Sequence, residues 1–213
     1  MTDLDDHRRI TSVAIYAGSK WGKNPAYRHA AERMGTLLGQ NGYDMIYGGG
    51  DFGLMGVVAK AALAAGSKVR GLIVRAWANV SGSAAIQGVD EAIVEDKYER
   101  MAIMRNETQA SILLPGGIGS WEELVTILSH QDEQRYVAPD ALPRPIIVLN
   151  TNGIYNHLKG LIDETYDEGF VYEPSRNLVR FADTPEEVIE ILSEYQIPAP
   201  KPAGNQSAPQ PGI

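Results

Sequence analysis

The sequence has no cysteine, no long apolar run and no excess of basic residues, and each absence excludes a class of protein. Without cysteine, no disulfide, thiolate nucleophile or zinc–thiolate site can form. No apolar run approaches the length that crosses a bilayer, so we expect no membrane partner. The 27 acidic residues outnumber the 19 basic ones, giving a net charge of −8. We therefore expect no nucleic-acid partner, because binding a phosphate backbone needs a basic surface.

The two ends of the chain differ in composition from the rest. Residues 1–9 are polar and lack the apolar core of a signal peptide, and residues 197–213 are rich in proline, glycine and alanine. We predict that both ends are disordered and that residues 10–196 form a single domain. A domain of this length can bury a core without disulfides. The expected location is the cytoplasm.

Short apolar runs rich in β-branched residues alternate with longer amphipathic segments. The predicted strands start near residues 11, 43, 68, 91, 110, 145 and 177. The predicted helices cover about 25–41, 52–65, 96–107, 120–134, 151–168 and 185–195, and three of them have candidate N-caps at Asn24, Asp51 and Thr184. This alternation predicts an α/β fold: a doubly wound, mostly parallel, Rossmann-like sheet of about seven strands with helices on both faces. Ligands of such sheets bind beyond the carboxyl ends of the strands.

The loop after the predicted strand at residue 110 is the strongest candidate site. It reads LPGGIGSWEE and leads directly into a helix. Backbone N–H groups at a helix N-terminus favour an anion, so we predict a phosphate site here. The predicted phosphate ligands are Gly116, Gly117, Gly119 and Ser120. Glu123, one turn further along, is a candidate catalytic acid or base, but Ser120 and Glu123 also fit a capping box that would serve only the helix.

Two further loops follow strands at the same predicted edge. In the first, Gly18 and Ser19 are candidates for binding phosphate or ribose. In the second, YGGGDFGLMG, the candidate substrate-binding residues are Gly48, Gly49 and Gly50. Together with Gly53, this loop formally contains GxGxxG, which raises a dinucleotide-binding alternative. Two features weaken that alternative: the motif follows the second strand, and the next strand ends at Arg75 rather than at an acid that would hold a ribose.

Arg100 lies on the helix that precedes the glycine-loop strand, from which it can approach the loop. The alternative is an ordinary surface arginine paired with Glu99 or Glu107. The four histidines show no metal-ligand spacing, and we predict no metal site.

Four ordered segments, YAGSK…NPAY, YGGGDFGLMG, DKYERMAIM and LPGGIGSWEE, resemble the Lonely Guy (LOG) family over about residues 13–192. The resemblance implies a Rossmann-like homodimer without a cofactor. It also implies hydrolysis of the N-glycosidic bond of a nucleoside 5′-monophosphate to free base and ribose 5-phosphate. The family signature PGGxGTxxE matches residues 115–123, which places the family's catalytic glutamate at Glu123 and its catalytic arginine at Arg100.

The sequence departs from the family pattern at three places. Ser120 stands for threonine, Met101 stands for the lysine after the arginine, and LIVRAWANVSG replaces a segment with an isoleucine–proline step. The last two bear on substrate identity and, to a lesser degree, on activity. They favour one alternative, a non-catalytic carrier of a nucleotide or phosphorylated cofactor on the same fold. A nicotinamide-dependent oxidoreductase is a second alternative. A pyridoxal-phosphate decarboxylase is a weaker one, because no lysine has the context of a Schiff-base site.

Overall fold

A seven-stranded parallel sheet forms the centre of the protein in a computed structural model that describes residues 7–80, 85–137, 144–171 and 178–198. The strands are β1 (His7–Arg9), β2 (Ser12–Tyr16), β3 (Asp44–Tyr47), β4 (Val69–Val74), β5 (Asp90–Val94), β6 (Ala110–Leu113), β7 (Ile146–Leu149), β8 (Val179–Ala182) and β9 (Gln196–Pro198). The helices are α1 (Pro25–Gln40), α2 (Gly53–Ala64), α3 (Lys97–Glu107), α4 (Ile118–Val137), α5 (Asn156–Asp167) and α6 (Pro185–Glu194). Two 3-10 turns cover Arg75–Trp77 and Thr151–Gly153.

The strand order of the central sheet is β5-β4-β3-β2-β6-β7-β8, and all neighbouring pairs are parallel. The predicted doubly wound fold is therefore confirmed. Strand β2 lies between β3 and β6, so that Ile15 is opposite Tyr47 on one side and Ile112 on the other. From β2 the chain proceeds outward through β5 and then returns to β6 on the other side. The carboxyl ends of β2 and β6 consequently flank the crevice where such folds bind ligands.

The core has two layers because successive strand side chains point to opposite faces of the sheet. In β2, Val13 and Ile15 join the cluster that contains α1, α2 and α6. Ala14 and Tyr16 of the same strand join a second cluster with apolar side chains of α3 and α4 and with Tyr155, which precedes α5. Burial on both faces explains why the strands read as continuous apolar runs in the sequence.

Two of the three predicted N-caps are confirmed. The side chain of Asn24 accepts a hydrogen bond from the N–H of Ala26, and that of Thr184 accepts one from the N–H of Glu187. The prediction for Asp51 was wrong. Because α2 begins one residue later than expected, the cap position falls on Phe52, and the carboxylate of Asp51 pairs with Lys60.

Three boundaries differ from the predictions. The helix expected from residue 151 begins at Asn156, because Asn152 has a left-handed backbone conformation (φ 56°) that breaks the helix. Helix α4 begins at Ile118, two residues earlier than expected. The strand predicted near residue 177 is β8, but residue 177 itself lies outside the described residues.

Short strands are present at residues 7–9 and 196–198, within or next to the two end segments for which disorder is predicted. Strands β1 and β9 pair antiparallel, with His7 opposite Pro198. These short polar segments have no apolar alternation that would mark them as strands, and they are joined only because the fold brings the start of β2 near the end of α6. Disorder of residues 1–6 and 199–213 stays a prediction, since they lie outside the described residues. No helix within the described ranges combines the length and the apolar character needed to span a membrane.

Candidate active site

Two of the predicted ligand-binding loops meet at the crevice. The N–H of Gly18, after β2, donates to the carbonyl of Pro115, after β6, at 3.0 Å. A side-chain carbon at Gly18 would lie 3.2 Å from the Cα of Gly116, so the backbones of the two loops are in close contact. Ser19 is exposed next to this contact. The loops therefore form one surface at the point where the strand order reverses.

The glycine loop is open to solvent at the start of the 20-residue helix α4. Gly117 and Gly119 are exposed, and a Cβ added to either would meet no atom within 4 Å. Ser120 is buried in the first helical turn, with its Oγ 2.1 Å from where a Cβ of Gly116 would be. The first N–H groups of a helix have no intrahelical acceptor. The four predicted phosphate ligands are thus brought together at an exposed helix N-terminus.

The capping-box alternative for Ser120 and Glu123 is wrong. Because α4 begins at Ile118, Ser120 lies inside the first turn and is not the residue that precedes the helix. The N–H of Trp121 already donates to the carbonyl of Gly117 at 3.0 Å. The carboxylate of Glu123 instead accepts a hydrogen bond from Arg100.

Arg100 and Glu123 form a buried ion pair. The Nη2 of Arg100 donates to the Oε1 of Glu123 at 2.9 Å, and the two side chains are only 10% and 14% exposed. The surface alternative for Arg100 is therefore wrong. Glu99 accepts a hydrogen bond from the backbone of Glu95, and Glu107 pairs with Arg70.

The guanidinium of Arg100 lies between the carboxyl ends of β3 and β4. A Cβ at Gly48 would lie 3.3 Å from its Nη1, and the ring of Trp77 covers it at 5.2 Å from the guanidinium carbon. Its Nε is buried and finds no hydrogen-bond partner among the described residues. The absence of a side chain at residue 48 therefore leaves room for the arginine.

Burial raises the pKa of Glu123 to about 7, although the nearby charge and hydrogen bond of Arg100 act in the opposite direction. The pKa of this carboxyl group therefore lies well above its ordinary value of 4.5. A pKa near the working pH suits a group that gives or takes protons or that stabilises developing positive charge. A strongly shifted pKa next to an exposed glycine loop at a helix N-terminus is typical of active sites.

A sequence model of the family described as "Possible lysine decarboxylase" matches residues 55–192. A probable cytokinin riboside 5′-monophosphate phosphoribohydrolase of Oryza sativa subsp. japonica, LOGL2, is 35% identical over 187 residues, which are 88% of this chain and 74% of that protein. The cytokinin riboside 5′-monophosphate phosphoribohydrolase LOG7 of Arabidopsis thaliana is 32% identical over 188 residues, 88% of this chain and 83% of that protein. This chain belongs to the LOG family.

Solved structures show that the fold of this LOG protein also occurs in proteins with other roles. The molybdenum cofactor binding protein of Rippkaea orientalis matches with a TM-score of 0.62 and 19% identity, over 86% of this chain and 96% of that one. The molybdenum cofactor carrier protein of Chlamydomonas reinhardtii matches with a TM-score of 0.61 and 14% identity over the same shares. At these identities the likeness shows the fold alone.

The glycines of the second loop of this LOG protein pack against or hydrogen-bond to other parts of the fold. Gly49 has a positive φ of 76°, and a Cβ there would lie 2.5 Å from the side chain of Ile73. The N–H of Gly50 donates to the Oε1 of Glu91 at 3.2 Å. The part that Gly49 and Gly50 play in substrate binding stays a prediction, whereas Gly48 lies directly against the arginine.

The GxGxxG alternative gains no support from the geometry. A Cβ at Gly53 would lie 2.4 Å from the backbone nitrogen of Lys20, so this glycine allows the second loop to contact the first. Arg75, which stands at the strand end where an acid would hold a ribose, is exposed and pairs with Glu95 at 2.8 Å. Contact between the two loops is enough to explain the glycine at residue 53.

Two aromatic residues next to the site, Trp77 and Tyr155, are not predicted from the sequence. Trp77 covers Arg100, as described above. Tyr155 is buried and donates through its hydroxyl to the carbonyl of Leu114 at 2.8 Å, which supports the glycine loop from inside the fold. An aromatic residue just past β4 was a usable signal for Trp77, whereas nothing local links Tyr155 to a loop about 40 residues earlier.

Met101, the departure from the family pattern next to Arg100, is buried in α3 with 7% exposure. A charged lysine at this position would have to be buried or displaced, at a cost that methionine avoids. The substitution of methionine for lysine therefore makes the buried environment next to Arg100 apolar.

Proposed function

We propose that this LOG protein hydrolyses the N-glycosidic bond of a nucleoside 5′-monophosphate and releases free base and ribose 5-phosphate. The observation that carries the proposal is the buried pair of Arg100 and Glu123 one helical turn beyond an open glycine loop. The names of the plant relatives agree with this reaction. The substrate in this proposal is a cytokinin riboside monophosphate or an AMP-like nucleotide, and no cofactor takes part.

The phosphate of the nucleotide binds at the N-terminus of α4. The N–H groups of Gly117 and Gly119 and the Ser120 hydroxyl are its proposed ligands, with Gly18 and Ser19 beside them. The helix dipole adds a favourable interaction with the negative charge. Because Glu123 is one turn further along the same helix, a nucleotide anchored by its phosphate presents its ribose toward the carboxylate.

The bond between the ribose carbon and the base nitrogen breaks with its electron pair going to the base, which takes a proton. Positive charge develops on the ribose, as in other glycoside cleavages, and water then adds to the anomeric carbon. The ionised Glu123 stabilises this charge or takes a proton from the attacking water. General-base assistance of this kind is worth about 100- to 10,000-fold in rate. Arg100 holds the carboxylate in place and favours its ionised form.

We also propose that the protein forms a homodimer and is located in the cytoplasm. Ile118, Trp121 and Val125 are 79%, 47% and 58% exposed, and their spacing of three and four residues places them on one stripe of α4. An exposed apolar stripe of this kind suits burial against a second copy of the chain. Since the stripe starts at the glycine loop, the second copy would lie next to the site.

A panel of AMP, GMP, CMP and isopentenyladenosine monophosphate, assayed for free base, tests the activity. The decisive variant is Glu123→Gln, and the matched control is Glu122→Gln. Glu122 is the adjacent residue on α4, but it is 46% exposed and pairs with Lys97. We expect Glu123→Gln to lower kcat by about 100-fold or more with nucleotide affinity changed by less than about threefold, because it removes the reacting carboxylate and keeps the phosphate loop.

Glu122→Gln should retain normal turnover. Equal turnover of Glu123→Gln and wild type would contradict the role of Glu123. Tight nucleotide binding by the wild type with no release of base would instead support the carrier alternative.

A further inference from the structure

Trp77 is the aromatic residue in contact with the buried arginine. It is the last residue of the 3-10 turn Arg75–Trp77, which follows β4 at the carboxyl edge of the sheet. Its ring centroid lies 5.2 Å from the guanidinium carbon of Arg100, within the distance of a cation–π contact. Trp77 is 44% exposed, whereas the Arg100 side chain is 10% exposed. The indole therefore lies between the guanidinium and solvent.

Arg100 has few hydrogen bonds to fix its position. Nη2 donates to Glu123, but the buried Nε has no partner among the described residues. On another side the guanidinium lies near Gly48, where a Cβ would be 3.3 Å from its Nη1. With this one side-chain hydrogen bond among the described residues, the orientation of the guanidinium depends on the surfaces that pack against it. Trp77 supplies one of these surfaces.

We propose that Trp77 is a positioning residue for the cleavage reaction: it stacks on Arg100, holds the guanidinium against Glu123 and keeps water away from the pair. This inference rests on the proposed function of the site. Trp77 belongs to the segment after β4 that departs from the family pattern. In this proposal, that segment therefore contributes a residue that positions Arg100. A cation–π contact is also stronger when water is excluded, which fits the burial of the pair.

A second role for Trp77, as a platform on which the base stacks, would have different consequences. Loss of a platform weakens substrate binding and raises KM, whereas misplacement of Arg100 lowers kcat with little change in KM. The base platform is therefore an outcome that would overturn the proposal.

The first test measures kcat and KM for Trp77→Ala and Trp77→Phe on the best nucleotide of the panel. We expect Trp77→Ala to lower kcat about tenfold with KM within about threefold, because an aromatic contact with a partly desolvated cation is lost. Trp77→Phe should retain kcat within about threefold, because phenylalanine also offers a ring face. The control is Arg75→Ala, which removes the exposed pair with Glu95 from the same turn and should behave as wild type.

The second test observes Arg100 directly and does not depend on turnover. In ¹⁵N-labelled protein, the Nε–H signal of Arg100, assigned with Arg100→Lys, should carry the shift caused by the indole ring current. Trp77→Ala should remove this shift and increase the exchange of that proton with water, while the unfolding temperature changes little.

Three results would overturn the proposal: unchanged kcat in Trp77→Ala, a rise in KM alone, or an unaltered Arg100 signal. If the wild type releases no base from any nucleotide, the proposed function fails, but the Arg100 signal still shows whether Trp77 holds the arginine in place.

Discussion

The two ends of the central sheet carry different kinds of arginine–glutamate pair. At the carboxyl end, Arg100 and Glu123 are 10% and 14% exposed. At the amino end, Arg70 and Glu107 are 35% and 47% exposed and line an open cavity of about 580 Å³. The pair at the amino end is solvated and has the small energy typical of surface pairs. At the carboxyl end, burial makes each group depend on the other and shifts the pKa of the acid.

The open cavity at the amino end is therefore not the better candidate site. The cavity at the amino end is lined by charged side chains such as Asp44 and Lys68 and lies at the opposite edge from the glycine loop. In a parallel sheet, the helices that follow the strands start at the carboxyl edge, so their N-termini and open N–H groups gather there. A perturbed acid next to such N–H groups is a more informative signal than volume.

Substitution of the two arginines should give the largest difference between the ends. Arg100→Ala leaves Glu123 buried without its cation, which raises the pKa of the carboxyl further and protonates it at neutral pH. We expect kcat to fall by about 100-fold or more. Arg70→Ala should change kcat by less than about twofold and cost at most about 1 kcal/mol of folding stability. Both variants are tested by base-release kinetics and by denaturant unfolding. Equal turnover in the two would contradict the placement of the active site at the pair of Arg100 and Glu123.

The pH dependence of kcat/KM should report Glu123. Its pKa is raised to about 7, and the ionised form is the active one, so activity should be half-maximal near pH 7. Below that, it should fall about tenfold per pH unit, and above that it should level off.

The phosphate of the substrate titrates near pH 6 and must be separated from this effect. The inhibition constant of ribose 5-phosphate over the same range supplies that correction. A corrected profile that stays flat from pH 6 to 8 would show that no group with a pKa near 7 controls the reaction.

The smallest of these effects should come from two exposed glycines, Gly117 in the glycine loop and Gly160 in α5. Neither would place a Cβ within 4 Å of another atom, and neither has a positive φ, so alanine fits the fold at both positions. Gly117→Ala should raise KM about tenfold at constant unfolding temperature, since its methyl group occupies the proposed phosphate space.

Gly160→Ala should leave KM unchanged and stabilise the helix by about 0.5–1 kcal/mol, as expected for an interior helix position. An unchanged KM in Gly117→Ala would contradict the proposal that the substrate phosphate binds at the glycine loop.

Much of the fold was predictable because it depends on local pattern. Buried strands with apolar runs alternate with amphipathic helices. This alternation can be recognised in the sequence without knowledge of the tertiary contacts. The wrongly predicted helix boundaries depend on the backbone conformation of single residues. Asn152, for example, has a left-handed backbone conformation that the sequence does not specify. Strands β1 and β9 were missed because their pairing joins the two ends of the chain.

The candidate site was predictable in its parts but not in its arrangement. The glycine loop, Arg100 and Glu123 were identified as candidates from local spacing and family resemblance. The capping box, an equally valid local interpretation, was wrong because the helix starts two residues earlier and the carboxylate meets an arginine 23 positions away. Trp77 was not singled out, since its contact with Arg100 exists only when β4 and α3 are packed together.

The sequence by itself determined the parallel α/β architecture, the edge of the sheet that carries the glycine loops and the chemical types of the site residues. It did so because strand burial, helix starts and glycine turns are decided by neighbouring residues. Only the tertiary structure decided which carboxylate pairs with Arg100, how deeply that pair is buried and what covers it. These depend on distances between elements far apart in the chain, and the burial that shifts the pKa of Glu123 is a property of their packing.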